Sequence, residues 1–234
     1  LEDLARAAGE RLFGRLRIGV IPTIAPYLLP AVISGLARSH PGLDLHVRET
    51  VTPRLLQELN EGRLDAAIVA LPVSEPGLSE VALFGETFVL VRPIADAARP
   101  VPSPERLREM RLLLLEEGHC FREQALSFCG AGASTPRELL DGSSLTTLVQ
   151  MVGAGIGITL IPEMAVAVET RSAPVCVARF PAPEPARSVG MVWRRSSPLA
   201  RQLTDVAEIV RAAAEAMRNA GAGGAADMPA PGSG

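Results

Sequence analysis

Lysine is missing from this 234-residue chain, and all 23 basic residues are arginine. Codon usage in a GC-rich genome accounts for that more simply than any function. With 26 acidic residues the formal net charge is −3, so this piece carries no basic footprint for nucleic acid. Aromatic side chains make up only 3%, too few for a surface on which bases or sugars would stack. The longest apolar run, Ala66 to Val73, is eight residues, far short of the roughly 20 that a membrane-spanning helix needs. No basic n-region followed by an apolar h-region opens the chain. Three cysteines are too few for a secreted disulfide framework. A reducing, cytoplasmic compartment is therefore expected, where transient disulfides are usually catalytic or redox-sensing. His40, His46 and His119 are scattered, and no C-x-x-C or H-x-x-x-H spacing occurs, so neither a metal nor another cofactor is expected.

What is present is an ordinary globular composition, 47% hydrophobic and 21% charged. Leu1, Leu4, Ala5, Ala8 and Leu12 repeat at helical spacing, which reads as the end of a linker helix over residues 1–13. Arg15–Ile21 reads as a strand. A helical stripe follows through Leu28, Leu29, Val32, Ile33 and Leu36, and Leu43–Glu49 alternates as a second strand. Thr52-Pro53 is a helix start, with Thr as cap and Pro at the first helical position. Asp65–Leu71 reads as a buried parallel strand. This β-α-β-α-β opening implies a parallel sheet with helices on both faces.

The middle of the chain repeats the theme. Strands are expected at Phe84–Val91, Leu112–Leu115, Gly155–Ile161, Val175–Phe180 and Val189–Arg194. Helices are expected at Pro104–Met110, Phe121–Phe128, Ser144–Gly153 and, closing the fold, Pro198–Asn219. Residues 220–234 hold twelve Gly, Ala and Pro in fifteen positions, the composition of a disordered tail. The fold class is α/β: two Rossmann-like lobes around a cleft. Lobe I is expected to take residues 14–90 and 190–219, and lobe II residues 91–189. Ligands of open α/β sheets sit at the carboxyl ends of strands, which points to the turns Pro22–Pro26, Thr50–Thr52 and Glu117–Cys120. Gly153-Ala154-Gly155-Ile156-Gly157 echoes a dinucleotide loop, but it precedes a strand instead of following one, so it is rejected.

The richest stretch for chemistry is Glu116-Glu117-Gly118-His119-Cys120 and the segment on to Cys129. Cys120 opens a helix, where the dipole and free N–H groups favour a thiolate. Glu123 stands where a capping-box acid would stand if Cys120 were the N-cap. Arg122 is a nearby cation, while Glu116 and Glu117 oppose it. The residues alone leave two readings, a reactive thiol or an inert buried one. Cys129 lies nine residues further on. On one continuous helix the two thiols would point to opposite faces, about 13 Å apart along the axis. A bond between them needs Cα atoms within about 7 Å, which that helix would not allow.

Gly118-His119-Cys120 with Phe128-Cys129 resembles the redox motif of the OxyR family, the peroxide-sensing branch of the LysR-type transcriptional regulators. Ile21-Pro22-Thr23 with Pro26-Tyr27-Leu28-Leu29-Pro30 is similar to the first strand-turn-helix of that family. Leu59–Asp65 and Val152–Pro162 resemble general LysR-type segments. The likeness runs from about Gly14 to Arg218. It implies a periplasmic-binding-protein-like regulatory domain with Cys120 as peroxidatic and Cys129 as resolving cysteine, joined by a reversible disulfide. It further implies that Thr23 and Thr52 line a peroxide pocket, that His119 polarises it and that Arg187 lends positive charge. The family usually has Asp where this chain has Glu123. Also implied are a homodimer or homotetramer, DNA binding through an N-terminal domain absent from this chain, contact with RNA polymerase, and glutaredoxin or thioredoxin as reductant; an enzyme is not implied.

The same residues have plainer readings: a turn hydroxyl for Thr23, a helix cap for Thr52, a solvated ring for His119, a surface side chain for Arg187 and an ordinary strand residue for Cys176. Alternatives of other classes are a LysR-type effector-binding domain sensing a small metabolite, a periplasmic solute-binding protein and a thiol peroxidase.

Overall fold

The computed structural model describes residues 12, 14–130 and 139–224. The expected linker helix, all but its Leu12, lies outside the described residues, as does the expected tail beyond residue 224.

Strand β1 (Gly14–Val20) pairs in parallel with β2 (Leu43–Glu49) and β3 (Ala66–Leu71). Helices α1 (Ala25–Ser39) and α2 (Thr52–Asn60) make the crossovers. The alternation in the first third thus folds as its pattern predicts. The expectation of a parallel sheet fails further on. Strand β4 (Leu78–Pro93) and strand β9 (Ala186–Arg194) run antiparallel to each other, and β9 runs antiparallel to β3. Strand β7 (Ile158–Pro162) is also antiparallel to β4. It pairs in parallel with β5 (Leu112–Leu115), and β5 pairs in parallel with β6 (Leu139–Gly142). Among the described residues the order is β2-β1-β3-β9-β4-β7-β5-β6, with β8 (Val175–Ala178) on β4. Helices α3 (Pro104–Leu107), α4 (Cys120–Phe128), α5 (Leu145–Gly153), α6 (Val166–Glu169) and α7 (Ala200–Gly224) complete the chain.

Two apolar clusters define the lobes. In the first, Leu16, Ile18 and Val20 of β1 meet Leu28 and Leu36 of α1, together with Leu203, Val206 and Val210 of α7. The closing helix therefore returns to the first lobe, where Ile209 approaches Gly35 of α1 closely enough to exclude a side chain there. It runs on through residues 220–224, which composition had assigned to the tail. In the second cluster the four leucines of β5, all buried, meet Leu148, Val149 and Val152 of α5 and Leu160 of β7. Strand β4 belongs to both. Leu78 and Leu83 pack in the first cluster, while Phe88, Val89, Leu90 and Val91 pack in the second. The change of lobe thus falls near 84–87 instead of 90/91, and Val189 packs with the first lobe. Among the described residues, strands β4 and β9 cross between the lobes, and their antiparallel pairing at Glu86 and Arg187 lies at that crossing.

Candidate functional site

Three turns at the carboxyl ends of β1, β2 and β5 converge where the lobes meet. Thr23 comes from the turn after β1, and Val51 and Thr52 from the start of α2. After β5, Gly118 adopts φ +95°, a left-handed conformation that glycine takes without steric cost. It swings His119 into the N-cap position of α4, with Cys120 as the first helical residue. Thr23, Thr52, His119, Cys120 and Phe121 line one small recess together with Ile21, Pro22 and Val51. The second lobe supplies the thiol and the imidazole, and the first supplies both hydroxyls. Cys120 accordingly packs against the first lobe's core while its own helix belongs to the second.

Thr23 is buried, and its hydroxyl accepts a 2.8 Å hydrogen bond from Nη1 of Arg187. Thr52 is not the helix cap that its sequence context suggests. The cap position belongs to Val51, and no side chain caps this helix. The Thr52 hydroxyl is instead buried without a hydrogen-bond partner, an arrangement that costs about 1–3 kcal/mol. His119 is buried, and that burial pushes its pKa below the usual value against the opposing pull of Glu116. The ring is therefore neutral near pH 7. Glu116 and Glu117, the acids that oppose a thiolate at Cys120, face solvent.

Arg187 departs from the surface reading completely, since its side chain has no exposed area. Nε donates to Oε2 of Glu86 at 2.8 Å, and Nη2 stands 2.6 Å from the same oxygen. Nη2 also donates to the Thr23 carbonyl at 3.1 Å. The guanidinium carbon lies 5.4 Å from the ring centre of Phe121, a cation–π distance. A cation thus reaches the Thr23 turn from β9, although neither threonine turn contains one in sequence. It is a paired cation, not a free charge beside the thiol.

Two other expectations change. Because His119 is the cap, Glu123 is not at the capping-box position, and it is exposed. Arg122 turns away from the thiol, donating to the Leu115 carbonyl at 2.8 Å and pairing with Asp141. It fastens α4 to β5 and β6.

Cys120, Cys129 and Cys176 are free thiols. Cys120 is half-buried, while Cys129, just past the last turn of α4, is 1% exposed. Burial pushes the Cys129 thiol up to about 11, with Arg108 pulling weakly the other way. Between the cysteines, Phe121 and Ala125 are buried, and Phe128 stacks edge-on against Phe180 at 4.9 Å. The helix thus places the two thiols at opposite ends, as the spacing predicts. Cys176 is a strand residue whose Sγ contacts the Pro93 carbonyl at 3.5 Å.

Beside the recess, and sharing Pro22, Val51 and His119 with it, opens a cavity of about 270 Å³ lined also by Tyr27, Thr50, Ser144 and Glu169. Sequence reading missed Glu86, Tyr27 and Glu169. Only Glu86 carried a signal: it is the one charge inside the apolar strand pattern Phe84–Val91.

Residues 9–215 match the family described as LysR substrate binding domain. A "Probable hydrogen peroxide-inducible genes activator" of Mycobacterium avium is 45% identical over 82% of this chain, which spans 64% of that relative's length. The "DNA-binding transcriptional dual regulator OxyR" of Escherichia coli strain K12 is 39% identical over 91% of this chain and 70% of that protein. Among solved structures, the reduced OxyR regulatory domain of Pseudomonas aeruginosa superposes with a TM-score of 0.77 at 36% identity, covering 87% of this chain and 98% of that one. A hydrogen-peroxide-bound OxyR mutant of Corynebacterium glutamicum gives 0.83 at 36% identity, covering 94% and 72%.

Proposed function

Because the chain belongs to the LysR substrate-binding domain family, with relatives that are OxyR-type peroxide-inducible activators, we propose that it is the part of such a regulator that senses hydrogen peroxide. The observation that carries this is the recess itself. A half-buried thiol, a neutral imidazole and two hydroxyls, one of them unpartnered, line one narrow recess together.

The Cys120 thiolate attacks one peroxide oxygen. An S–O bond forms as the O–O bond breaks, the sulfur is oxidised to a sulfenic acid, and the departing hydroxide takes up a proton to leave as water. Hydroxyl and imidazole donors around the recess stabilise the charge that moves to the departing oxygen. Cys129 then condenses with the sulfenic acid. The S–S bond forms, the S–O bond breaks, and the sulfenic OH leaves with the thiol proton as water. Helix α4 must unwind for this, because its ends lie about 13 Å apart. The change in the second lobe is transmitted to a homodimer or homotetramer, and through it to an N-terminal DNA-binding domain outside this chain and to RNA polymerase. A cytoplasmic glutaredoxin or thioredoxin would reduce the disulfide.

The adjoining 270 Å³ cavity favours a second reading, an effector site for a small metabolite with no thiol chemistry. Sulfenic-acid trapping after peroxide treatment of a Cys129→Ser variant separates the two. The expected result is labelling of Cys120 alone, abolished by Cys120→Ser. Equal labelling of Cys176, or an unreactive Cys120, would overturn the peroxide reading.

A further inference from the structure

Glu86 has no place in the sequence-derived site, yet it is buried at the crossing between the lobes. Its Oε2 accepts from Nε of Arg187 at 2.8 Å and stands 2.6 Å from Nη2, and its Oε1 receives the Met164 N–H at 3.4 Å. Oε2 takes both Nε and Nη2, so the carboxylate occupies one edge of the guanidinium fork and, as a charge-assisted contact, restrains its plane. Nη2 and the one nitrogen left over, Nη1, are thereby aimed at a single residue: Nη1 reaches the Thr23 hydroxyl and Nη2 the Thr23 carbonyl.

A guanidinium only donates hydrogen bonds. The Thr23 hydroxyl must therefore spend a lone pair on Arg187, which leaves its own proton to point elsewhere. Thr23 lines the recess that holds Cys120. From this geometry we infer that Glu86 is a positioning residue for peroxide reduction: by clamping Arg187 it sets the Thr23 hydroxyl as a hydrogen-bond donor into the recess. The same clamp holds the guanidinium over Phe121, the residue next to Cys120. Arg187 then acts through Thr23, with its charge balanced by Glu86, and not as a bare cation beside the thiolate.

The inference rests on the peroxide reading above, and the experiment keeps the two apart. Rates of Cys120 oxidation by hydrogen peroxide and of Cys120 alkylation by iodoacetamide are measured in the wild-type chain, Glu86→Gln, Thr23→Val and the double variant. The expected result is a tenfold or greater loss of the peroxide rate in Glu86→Gln with alkylation within about twofold of wild type. Little further loss is expected when Glu86→Gln is added to Thr23→Val, because residues acting through one another are not additive. Should Glu86→Gln fail to fold, Glu86→Asp, which keeps the charge on a shorter arm, takes its place in the same comparison. A wild-type peroxide rate in the Glu86 variant overturns the inference, and so does an equal loss in the Thr23→Val background or a matching fall in alkylation. Failure of the wild-type Cys120 to react with peroxide at all would instead overturn the underlying function.

Discussion

Tyr27 and Glu169 join the two lobes through one buried hydrogen bond, in which the phenol of helix α1 donates to Oε1 of Glu169 at 2.7 Å. Neighbouring Leu28 packs in the first core, while the Tyr27 ring packs in the second. Both partners line the cavity beside the Cys120 recess.

Tyr27 is the only tyrosine and Trp193 the only tryptophan, so each can be read spectroscopically without interference. Burial, reinforced by the bond to Glu169, holds the Tyr27 phenol well above its ordinary value. A raised folded-state value means that the stabilisation is complete below the unfolded pKa of about 10 and is lost as pH rises through the folded one. In an alkaline titration, tyrosinate absorbance should appear together with the change in Trp193 fluorescence that marks unfolding. Tyrosinate forming near pH 10 while Trp193 fluorescence stays native would contradict it. Tyr27→Phe should cost about 1–2 kcal/mol in denaturant unfolding, since Glu169 loses a buried donor.

The unpartnered hydroxyl of Thr52 separates function from stability. Thr52→Val removes a buried polar group without breaking a bond, so thermal unfolding should show equal or higher stability, by up to about 1 kcal/mol. Peroxide oxidation of Cys120 should nevertheless slow at least tenfold. A loss of stability, or an unchanged rate, would show that the hydroxyl is not held in reserve for a ligand.

The thiols should differ sharply before oxidation. With its pKa near 11, Cys129 exposes on the order of one thiolate in a thousand at pH 8, and it is buried as well. Timed alkylation of the reduced protein, followed by peptide mass spectrometry, should label Cys120 long before Cys129. After unfolding in urea the two rates should converge. Comparable rates in the native protein would mean that Cys129 is accessible without helix opening.

Oxidation should unwind helix α4. Exposing Phe121 would cost about 2–3 kcal/mol, which is large against the stability of a lobe, so the segment must repack. Hydrogen exchange should show residues 118–130 losing protection on disulfide formation while residues 15–70 keep theirs. A Cys120–Cys129 disulfide with unchanged exchange across the segment would exclude the switch.

Much of this molecule is written locally. Strand β2 matches the strand expected at Leu43–Glu49, and β5 matches Leu112–Leu115, because alternation and an unbroken apolar run need no distant partner to be recognised. Helix α4 starts at Cys120, one residue before the expected start. Less was legible where a strand serves two lobes. The N-terminal half of β4 was not anticipated, because Leu78–Leu83 takes its pairing from β9 more than a hundred residues away. The antiparallel sense of β9 was missed for the same reason. At Thr52 the local rule pointed to a cap, and tertiary packing turned the hydroxyl inward instead.

By itself the sequence determined the α/β class, the Gly118 turn, the position of Cys120 at the head of α4 and the separation of Cys120 from Cys129 along it. Each depends on spacing within a dozen residues. Only the tertiary structure decided what surrounds that thiol. Thr23 and Thr52 reach Cys120 across the lobe boundary, and Arg187 meets Glu86 because two antiparallel strands place them in register. The pair is then buried together, where neither charge would be tolerated alone. Such an arrangement leaves no local pattern, since its energetic reason, the mutual neutralisation of two desolvated charges, exists only once the chain has folded.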